Sequence, residues 1–368
     1  MHIPFVDLKI QYQSIKNEID NAIEQVITET AFIGGKYVQQ FEKEFADFYG
    51  SKHCISCANG TDSLYIIMKM VGIGIGDEVI TVANSWISSS ETISQTGATP
   101  VFVDIHPNYY SIDETLIESK ITSKTKAIIP VHLQGQMCNM TAITALCEKY
   151  HLFLIEDCAQ AHLSEYNNVR AGLTGIAASF SFYPGKNLGA YGDAGCIITN
   201  DDALATKCKM FARHGALIKH QHVMEGINSR MDGMQAAILL AKLPFLQKWT
   251  EQRIANAAYY QKILNEVDEI ILPMVRPNTK HTYHLYVIRA KQRNALAKFL
   301  HEKGIETTIH YPTPLPLMEA YQYLHYSEKD IPVSAKYKDE ILSLPMFPEL
   351  TELQMNYIAE TIKAFYTK

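Results

Sequence analysis

The stretch SFSFYPGKNLGAYGDAG, residues 179–195, decides how the rest of the chain is interpreted. Its only cation is Lys186, and apolar runs typical of strands precede and follow it. Pro184 and Gly189, on either side of the lysine, favour a tight turn rather than a helix. Desolvation in such a turn lowers the pKa of a lysine from its usual value of about 10.4, which lets the amine act as a nucleophile or base near neutral pH. The alternative is an unusual loop lysine without chemistry.

The composition is that of an ordinary globular protein. The chain has 368 residues, which favours one large domain plus a smaller one over a single small core. Its net charge is -6 and it contains no basic run, so nucleic acid and anionic membranes are not expected partners.

The N-terminal segment, the apolar runs and the cysteines are typical of a cytoplasmic protein. No apolar run reaches the length of a membrane span, and the N-terminus lacks the basic start and apolar core of a signal peptide. The seven cysteines are an odd number scattered through apparent core segments, which favours free thiols in the cytoplasm. Cys54 and Cys57 have the CxxC spacing, but no second pair lies at ligand distance, and core cysteines are the better interpretation.

The order of secondary structure predicts an α/β fold. An amphipathic helix is predicted over residues 11–29, and a second one begins near Val38 and ends near Gly50. Short β-branched runs then alternate with helical segments, which is typical of parallel strands joined by crossover helices in an open sheet. The predicted strands are residues 53–58, 78–83, 100–105, 126–132, 153–156, 177–183 and 196–199.

A smaller C-terminal unit follows. Residues 231–265 read as a long helical region interrupted at Pro244. We therefore expect residues 1–240 to hold the N-terminal helices and the large domain, and residues 241–368 to hold a connecting helix and a small α+β domain. The predicted elements of the small unit are strands over 283–289 and 305–310 and helices over 293–303 and 351–366.

Ligands of open α/β sheets bind at the carboxyl ends of the strands, and two such ends carry suggestive residues. Gly60 and Thr61 follow the first strand and open a helix, whose free N–H groups suit an anion such as a phosphate. Alone this signal is weak, because Asn59 and its polar neighbours are also typical of an ordinary helix cap. Trp86 follows the next strand, where its ring could stack on a planar cofactor or simply be part of the core.

Asp157 closes an apolar run and places a carboxylate at the same edge of the sheet. A buried carboxylate needs a charged or protonated partner, and a protonated pyridine nitrogen would be one. Gln160 and His162 lie close by in sequence and could orient the same ligand. The alternative is an aspartate that caps a turn and a histidine that belongs to the core.

Together these residues match one cofactor. A nucleophilic lysine, a carboxylate for a ring nitrogen, an aromatic for a ring face and a helix N-terminus for a phosphate are the features of a pyridoxal 5'-phosphate (PLP) site. A competing interpretation is a metal hydrolase that uses His132, Asp157, Cys158 and His162. Their spacing matches no ordinary ligand set and leaves Lys186 without a role, so we predict no metal.

The chain also resembles, nearly end to end, the DegT/DnrJ/EryC1/StrS sugar aminotransferases, which are PLP enzymes of fold type I (aspartate-aminotransferase-like). The lysine segment and the NSRMD segment are specific in combination. The matching segments are NGTDS (59–63), GATPVFVD (97–104), EDCAQAH (156–162), SFYPGKNLG (181–189), NSRMD (228–232), YHLYVI (283–288) and IHYP (309–312).

The resemblance implies a role for each of these residues. Lys186 would bond covalently to the cofactor and carry the proton, and Asp157 would pair with the pyridine nitrogen. Gln160 would lie against the ring hydroxyl and Trp86 against the ring face. The implied phosphate ligands are Gly60, Thr61, Ser181 and, from the neighbouring subunit of a homodimer, Asn228. The implied substrate contacts are Tyr183, His310 and Tyr311.

The resemblance also implies the reaction. An amino group, donated by L-glutamate in most relatives, would pass to a nucleotide-linked keto-deoxyhexose, a TDP- or UDP-sugar with its ketone at C3 or C4. The product would be an amino sugar for surface glycans such as lipopolysaccharide or O-antigen. Gln134 stands where relatives often have Tyr, and Leu163 where Gly is common, so the pocket is expected to differ in shape. A regulatory PLP-binding relative without turnover is the alternative.

Overall fold

The computed structural model describes residues 1–367. The helices are α1 (Leu8–Ser14), α2 (Lys16–Thr28), α3 (Gly35–Tyr49), α4 (Gly60–Met70), α5 (Ser88–Thr96), α6 (Glu114–Ile117), α7 (Met140–Tyr150), α8 (Asp202–Phe211), α9 (Gly233–Lys242), α10 (Leu246–Leu264), α11 (Arg293–Glu302), α12 (Pro332–Tyr337) and α13 (Glu352–Tyr366). The strands are β1 (His53–Cys57), β2 (Glu78–Val82), β3 (Thr99–Val103), β4 (Thr125–Ile129), β5 (Phe153–Asp157), β6 (Glu165–Tyr166), β7 (Val169–Arg170), β8 (Ala177–Ser181), β9 (Gly195–Thr199), β10 (Ile270–Ile271), β11 (Thr279–Lys280), β12 (Tyr286–Ala290) and β13 (Ile341–Leu344).

A seven-stranded sheet in the order β1-β9-β8-β5-β4-β2-β3 forms the centre of the molecule. All strands run in one direction except β9, which is antiparallel to both of its neighbours. Ser181 at the end of β8 pairs with Gly195 at the start of β9, so the chain between them turns back at the carboxyl edge. The mostly parallel α/β sheet of the fold type I prediction is confirmed, and the Lys186 segment lies at its carboxyl edge.

Helix α3 covers one face of the sheet because its apolar residues recur at helical spacing. Phe41 and Phe45 are fully buried, and each ring meets that of Phe182 edge-on at 5.3 Å between centroids. Full burial of one such side chain contributes about 2–3 kcal/mol. The helix ends at Gly50, whose left-handed backbone (φ 81°) suits the residue after a helix C-terminus. This packing fixes the strand that delivers the lysine.

The predicted N-terminal helix is two helices, α1 and α2. They meet at Ile15, whose backbone (φ -133°, ψ 30°) leaves the helical region. The long helical region of residues 231–265 divides as expected: α9 and α10 are separated by the 3-10 helix Leu243–Phe245, which contains the interrupting proline. Helix α10 has 19 residues. Among residues 1–367, no helix has both the length and the apolar character needed to cross a bilayer.

A three-stranded sheet, β10-β12-β13, lies in the C-terminal part together with α10, α11 and α13. The predicted strand over residues 305–310 is wrong. Ile305 pairs only with Ile3 and Thr308 only with Ser343, each through an isolated bridge, and the strand beside β12 is β13. Ile3 is thus buried in the C-terminal core. The proposed domain boundary at residue 240 stays a prediction.

The seven cysteines are all free and buried. Cys54 and Cys57 lie on β1 inside the protein, as core residues should. Burial raises the pKa of the Cys57 thiol well above its usual value, so this sulfur is a packing group. The interpretation of the CxxC spacing as core is confirmed.

Candidate active site

Four of the predicted site residues meet at the carboxyl edge of the central sheet. Asp157 ends β5, Ser181 ends β8, Gly60 begins α4 after β1, and Trp86 follows β2. Gly60 and Ser181 are in direct contact, because a Cβ atom added at Gly60 would lie 2.8 Å from the Ser181 Cβ atom. Only glycine allows this approach between the start of α4 and the end of β8.

Lys186 lies in a compact turn between β8 and β9. Its backbone N–H donates to the Tyr183 carbonyl (2.8 Å), and the Ala190 N–H donates to the Phe182 carbonyl (2.8 Å). Gly189 packs so closely on Pro184 that a Cβ atom there would lie 2.2 Å from the Pro184 carbonyl oxygen. The tight turn inferred from proline and glycine is therefore present, and Gly189 is required by a close backbone approach.

The Lys186 amine has the electrostatic character that a nucleophile needs. Within residues 1–367 its Nζ atom makes no hydrogen bond or ion pair. Burial lowers the pKa of Lys186 to about 8, and the negative charge of Asp157 opposes part of that shift. An amine with this pKa is neutral in an appreciable fraction at neutral pH, so it can attack an electrophile or accept a proton.

Asp157 presents a carboxylate that is only partly satisfied. The side chain is buried, and Oδ1 accepts a hydrogen bond from the Ala159 N–H (3.1 Å). Within the described residues Oδ2 has no hydrogen-bond partner. Burial raises the pKa of Asp157, against the opposing effects of the Ala159 N–H and the Lys186 charge. Such a carboxylate would be stabilised by a cationic N–H donor.

Gln160 is held on both sides. Its Oε1 atom accepts the backbone N–H of Gln134 (2.7 Å), and its Nε2 atom donates to the Tyr311 hydroxyl (3.0 Å). Gln134 reaches this position with a left-handed backbone (φ 62°). Sequence reasoning noted Gln134 only as a departure from relatives and missed that its backbone orients Gln160. A main-chain contact of this kind leaves no signal in residue type.

Tyr311 connects Gln160 with the aromatic residue at the neighbouring strand end. Its ring lies 6.0 Å from that of Trp86, between centroids, at an interplanar angle of 47°. Trp86 is 60% exposed, so it is not the core tryptophan of the alternative interpretation. The exposed indole beside the partly buried Tyr311 can form one wall of a cavity for a planar ligand.

The first turn of α4 has both a capping side chain and backbone N–H groups that lack an acceptor within the helix. The Asn59 side chain accepts the N–H of Asp62 (2.7 Å), so the capping interpretation is correct for that residue. The N–H groups of Gly60 and Thr61 precede the first intrahelical hydrogen bonds and have no acceptor within the helix. Thr61 also has a hydroxyl group, bonded to that of Ser88 (2.7 Å). These donors next to Ser181 can bind a phosphate.

Asn228 lies at the surface, and its side chain makes no hydrogen bond within residues 1–367. Its backbone forms a bridge with Arg213, and the next residue, Ser229, accepts the Ala58 N–H through its hydroxyl (3.1 Å). An exposed amide is available to a neighbouring molecule, which is what the predicted role of Asn228 requires. That role stays a prediction. Tyr183 is likewise 60% exposed, and its role also stays a prediction.

Three histidines surround the lysine. His162, His284 and His310 each have a pKa lowered by burial and by the Lys186 charge, to about 3 for His162 and about 4 for His310. His310 also bonds to the Ser343 hydroxyl through Nδ1 (2.9 Å). All three are therefore neutral near pH 7. Sequence reasoning missed His284, although it lies within a matching segment.

His284 is tied to the residue that follows the lysine. Its Nδ1 atom lies 3.3 Å from the Asn187 Oδ1 atom. His162 differs, because neither ring nitrogen has a partner within residues 1–367 and its ring packs edge-on against Phe180 (5.4 Å between centroids). His162 thus behaves as a core histidine, in line with the alternative interpretation of that residue.

The residues of the metal-hydrolase hypothesis do not assemble as one set. The group with ligand atoms within 4.8 Å of one another is His132, Glu156 and Cys158, without Asp157 or His162. Glu156 accepts hydrogen bonds from His132 Nε2 (2.9 Å) and from three backbone N–H groups. Its oxygens are used in holding the loop of residues 172–175, which is a structural role.

Comparison with known proteins gives a consistent result. The family model of the DegT/DnrJ/EryC1/StrS aminotransferase family matches residues 13–363. The chain is 46% identical over 368 residues to "Pleiotropic regulatory protein" of Geobacillus stearothermophilus, covering 100% of this chain and 99% of the relative. It is 43% identical over 364 residues to "dTDP-3-amino-3,6-dideoxy-alpha-D-galactopyranose transaminase" of Aneurinibacillus thermoaerophilus, covering 99% of each.

A solved structure agrees over the whole chain. The crystal structure of DesV from S. venezuelae, in complex with a ketimine intermediate, superposes with a TM-score of 0.97 at 37% identity and covers 100% of this chain and 99% of that one. The fold type I prediction and the resemblance stated from the sequence are both confirmed. The chain belongs to the DegT/DnrJ/EryC1/StrS aminotransferase family.

Proposed function

We propose that this protein, which is a PLP-dependent aminotransferase of the DegT/DnrJ/EryC1/StrS family, transfers an amino group from L-glutamate to a nucleotide-linked keto-deoxyhexose. One observation carries the proposal. The Lys186 amine, which makes no hydrogen bond, and the buried carboxylate of Asp157 lie at the same edge of the central sheet and influence each other's pKa. Each group has a shifted pKa caused by burial, and such pairs are typical of sites built for covalent and proton-transfer chemistry.

The residues present fit PLP. The Oδ2 atom of Asp157 lacks a hydrogen-bond donor among the described residues, and the pyridinium N–H of a bound cofactor would supply one. The N–H groups at the start of α4, with Thr61 and Ser181, provide donors for the phosphate. Trp86 offers an exposed ring for the cofactor face. When bound, the cofactor supplies an aldehyde for the amine and an electron sink for the carbanion.

Lys186 has two tasks in this proposal. Its neutral amine would hold the cofactor covalently, a role for which the lowered pKa of about 8 is suited. When not attached to the cofactor, the same Nζ atom would take the α-proton of the amino donor and later return a proton to the sugar carbon. Asp157 would keep the ring nitrogen of a bound cofactor protonated. The histidines around Lys186 are neutral, so the lowered pKa of Lys186 comes from burial and not from repulsion by neighbouring positive charge.

For the acceptor we propose a TDP- or UDP-linked sugar with its ketone at C3 or C4. The transaminase relative of Aneurinibacillus thermoaerophilus, named for a dTDP-3-amino sugar, supports this class. Tyr183, His310 and Tyr311 are proposed to contact the sugar. Tyr183 belongs to the turn that carries Lys186, Tyr311 lies beside the Trp86 ring, and His310 lies beside Tyr311. The amino sugar would enter a surface glycan such as lipopolysaccharide or O-antigen.

We also propose a homodimer with shared active sites that acts in the cytoplasm. The exposed Asn228 amide, adjacent to the start of α4 through Ser229, supports a donor that reaches the neighbouring subunit's phosphate. The seven free, buried cysteines fit a reducing compartment. The acidic net charge of -6 fits the expectation that nucleic acid and membranes are not partners.

The test is turnover with defined acceptors. Purified protein with PLP and L-glutamate is offered TDP- and UDP-sugars that carry a 3-keto or 4-keto group, and 2-oxoglutarate and the amino sugar are measured. The expected result is stoichiometric formation of both products with one class of acceptor, abolished in Lys186→Ala. Absence of product with every acceptor, from protein that has bound PLP, would overturn the proposed acceptor class.

One observation favours a second candidate, a regulatory relative that binds PLP without turnover. The relative that is 46% identical over the whole chain bears the name "Pleiotropic regulatory protein". Against this candidate, the lowered pKa of Lys186 and the buried carboxylate of Asp157 support turnover rather than binding alone. A half-reaction with L-glutamate separates the two functions, because only the enzyme forms 2-oxoglutarate.

A further inference from the structure

A second buried lysine, Lys242, lies beneath the turn that carries Lys186. It is the last residue of α9 and is fully buried. Its Nζ atom donates a hydrogen bond to the Gly189 carbonyl (2.7 Å) and lies 4.4 Å from the centroid of the Tyr191 ring. Gly189 is only three residues from Lys186 in sequence. The Lys242 ammonium therefore contacts the lysine turn, defined here as residues 183–191, at two points.

Helix α9 holds the same turn through a third contact, made by Gln235, about two helical turns before Lys242. The Oε1 atom of Gln235 accepts the backbone N–H of Tyr191 (2.9 Å), and its Nε2 atom donates to the Tyr191 carbonyl (3.4 Å). Gly192 gives the side chain room, since a Cβ atom there would lie 3.0 Å from the Gln235 Nε2 atom. Two side chains of α9 thus bind main-chain groups on the C-terminal half of the lysine turn.

Burial of an ammonium group is unfavourable unless it makes compensating contacts. Within residues 1–367 no carboxylate lies within salt-bridge distance of Lys242. Burial lowers the pKa of Lys242 to about 8, and the more distant charge of Glu349 opposes this shift. The Gly189 carbonyl and the Tyr191 ring are the contacts that stabilise the cation. An apolar side chain would fill the same space without the desolvation penalty, so packing alone does not account for a lysine here.

We propose that Lys242, assisted by Gln235, is a positioning residue that fixes the lysine turn and thereby the Nζ atom of Lys186. This inference rests on the proposed function, because it assigns Lys242 to the attachment of PLP. Without the hydrogen bond from Lys242, the Gly189 carbonyl is left buried and unpaired, and the turn can relax toward another arrangement. A displacement of about 1 Å at a reacting atom lowers rates by up to about 100-fold.

The experiment compares Lys242→Met with Lys242→Arg in the full-length protein. Met keeps the length and apolar stem of the side chain but removes the donor, whereas Arg restores a donor and a cation. Stopped-flow absorbance follows the attachment of PLP to the apoprotein, and a pH titration of the holoprotein gives the midpoint of its Schiff-base absorbance. We expect Met to slow attachment by about 10- to 100-fold and to shift the midpoint, and Arg to recover much of both.

A control separates positioning from stability. Arg293 is a buried cation of the C-terminal unit that donates to two main-chain carbonyls, those of Ile341 (2.7 Å) and Lys338 (3.0 Å). We expect Arg293→Met to lower the melting temperature, as we expect of Lys242→Met, yet to leave the attachment rate and the absorbance midpoint at their wild-type values. If Lys242→Met does not fold, Gln235→Leu, which removes the other contact of α9 with the turn, is measured in its place.

The outcomes distinguish this inference from the proposed function. If wild-type protein and Lys242→Arg both take up PLP, but Lys242→Met attaches it at the wild-type rate with an unchanged midpoint, Lys242 is not a positioning residue. Equal slowing in Lys242→Met and Arg293→Met would also overturn the inference, since a general loss of stability would then explain the effect. Failure of the wild-type protein itself to bind PLP would instead refute the proposed function.

Discussion

The rate at which PLP attaches to the apoprotein should depend on pH with a midpoint near 8. Lys186 attacks the cofactor aldehyde only as the neutral amine, and burial lowers its pKa from 10.5 to about 8. At pH 7 the neutral fraction is then about 9%, against about 0.03% for a lysine with its ordinary pKa, a difference of about 300-fold. The rate should rise about tenfold per pH unit below the midpoint and level off above it.

The substitution Asp157→Asn tests what sets the pKa of Lys186. The Asp157 charge holds the pKa of Lys186 above the value that burial alone would give, so its removal should move the midpoint below that of the wild type. The assay is stopped-flow absorbance of apoprotein mixed with PLP at a series of pH values. Asp193→Asn is the matched control, because Asp193 lies in the same segment, 179–195, but is exposed. Its midpoint should equal that of the wild type.

Two results would refute this reasoning. A wild-type midpoint at 10 or above would mean that Lys186 is not desolvated in the folded protein. A midpoint that stays in place in Asp157→Asn, or moves equally in Asp193→Asn, would mean that the Asp157 carboxylate does not act on the lysine. Turnover of Asp157→Asn is expected to fall at least 100-fold, since an amide cannot keep the ring nitrogen protonated.

Three further predictions concern the cofactor contacts and the subunit arrangement. Mixing equal amounts of inactive Lys186→Ala and Asn228→Ala subunits should restore about a quarter of wild-type activity, since half of the dimers are then hybrids with one intact site out of two. No recovery of activity, when subunit exchange has been verified, would contradict the shared site. Gly60→Ala should weaken PLP binding at least tenfold and lower the free energy of unfolding by about 1–3 kcal/mol, because the new Cβ atom meets Ser181 at 2.8 Å. Equilibrium dialysis measures the first effect and denaturant titration the second. Wild-type affinity for PLP would argue against a phosphate at the start of α4. Tyr311→Phe removes the hydroxyl bonded to Gln160 and should lower kcat/KM about fivefold, the equivalent of one hydrogen bond; unchanged kinetics would show that Gln160 is oriented by Gln134 alone.

The elements of the central sheet could be predicted because their signals are local. Strands such as β2 and β4 are apolar, β-branched runs bounded by polar residues, and each prediction lies within three residues of the observed ends. The direction of β9 could not be predicted from its sequence. It is set by the pairing of Ser181 with Gly195 across the lysine segment, a contact between residues 14 positions apart. The predicted α/β class does not depend on that one strand.

The failures in the C-terminal unit have a non-local cause. Residues 305–310 are apolar and β-branched enough for a strand, but Ile305 is paired by Ile3 from the far end of the chain. The place beside β12 is taken by β13, whose four residues, ILSL, give too short a pattern to be recognised. Contacts over some 300 residues in sequence are invisible to any local pattern.

In the candidate site, too, some features could be predicted from the sequence and others could not. Lys186, Asp157, Gly60 and Trp86 could be proposed because each stands at a strand end or in a turn, where residue type and position indicate chemistry. The supporting contacts could not. The N–H of Gln134 on Gln160 is a main-chain contact, and helix periodicity gives no sign that Lys242 is buried.

The central claim is that Lys186 and Asp157 form the site of an aminotransferase, and a single-turnover half-reaction tests it most directly. Holoprotein freed of excess PLP is mixed with L-glutamate in the absence of any sugar, and the Schiff-base absorbance and 2-oxoglutarate are followed together. The proposed function predicts loss of the absorbance with about one 2-oxoglutarate per subunit. Holoprotein with an intact absorbance band that is unchanged by L-glutamate, and by every other amino acid offered, would contradict it.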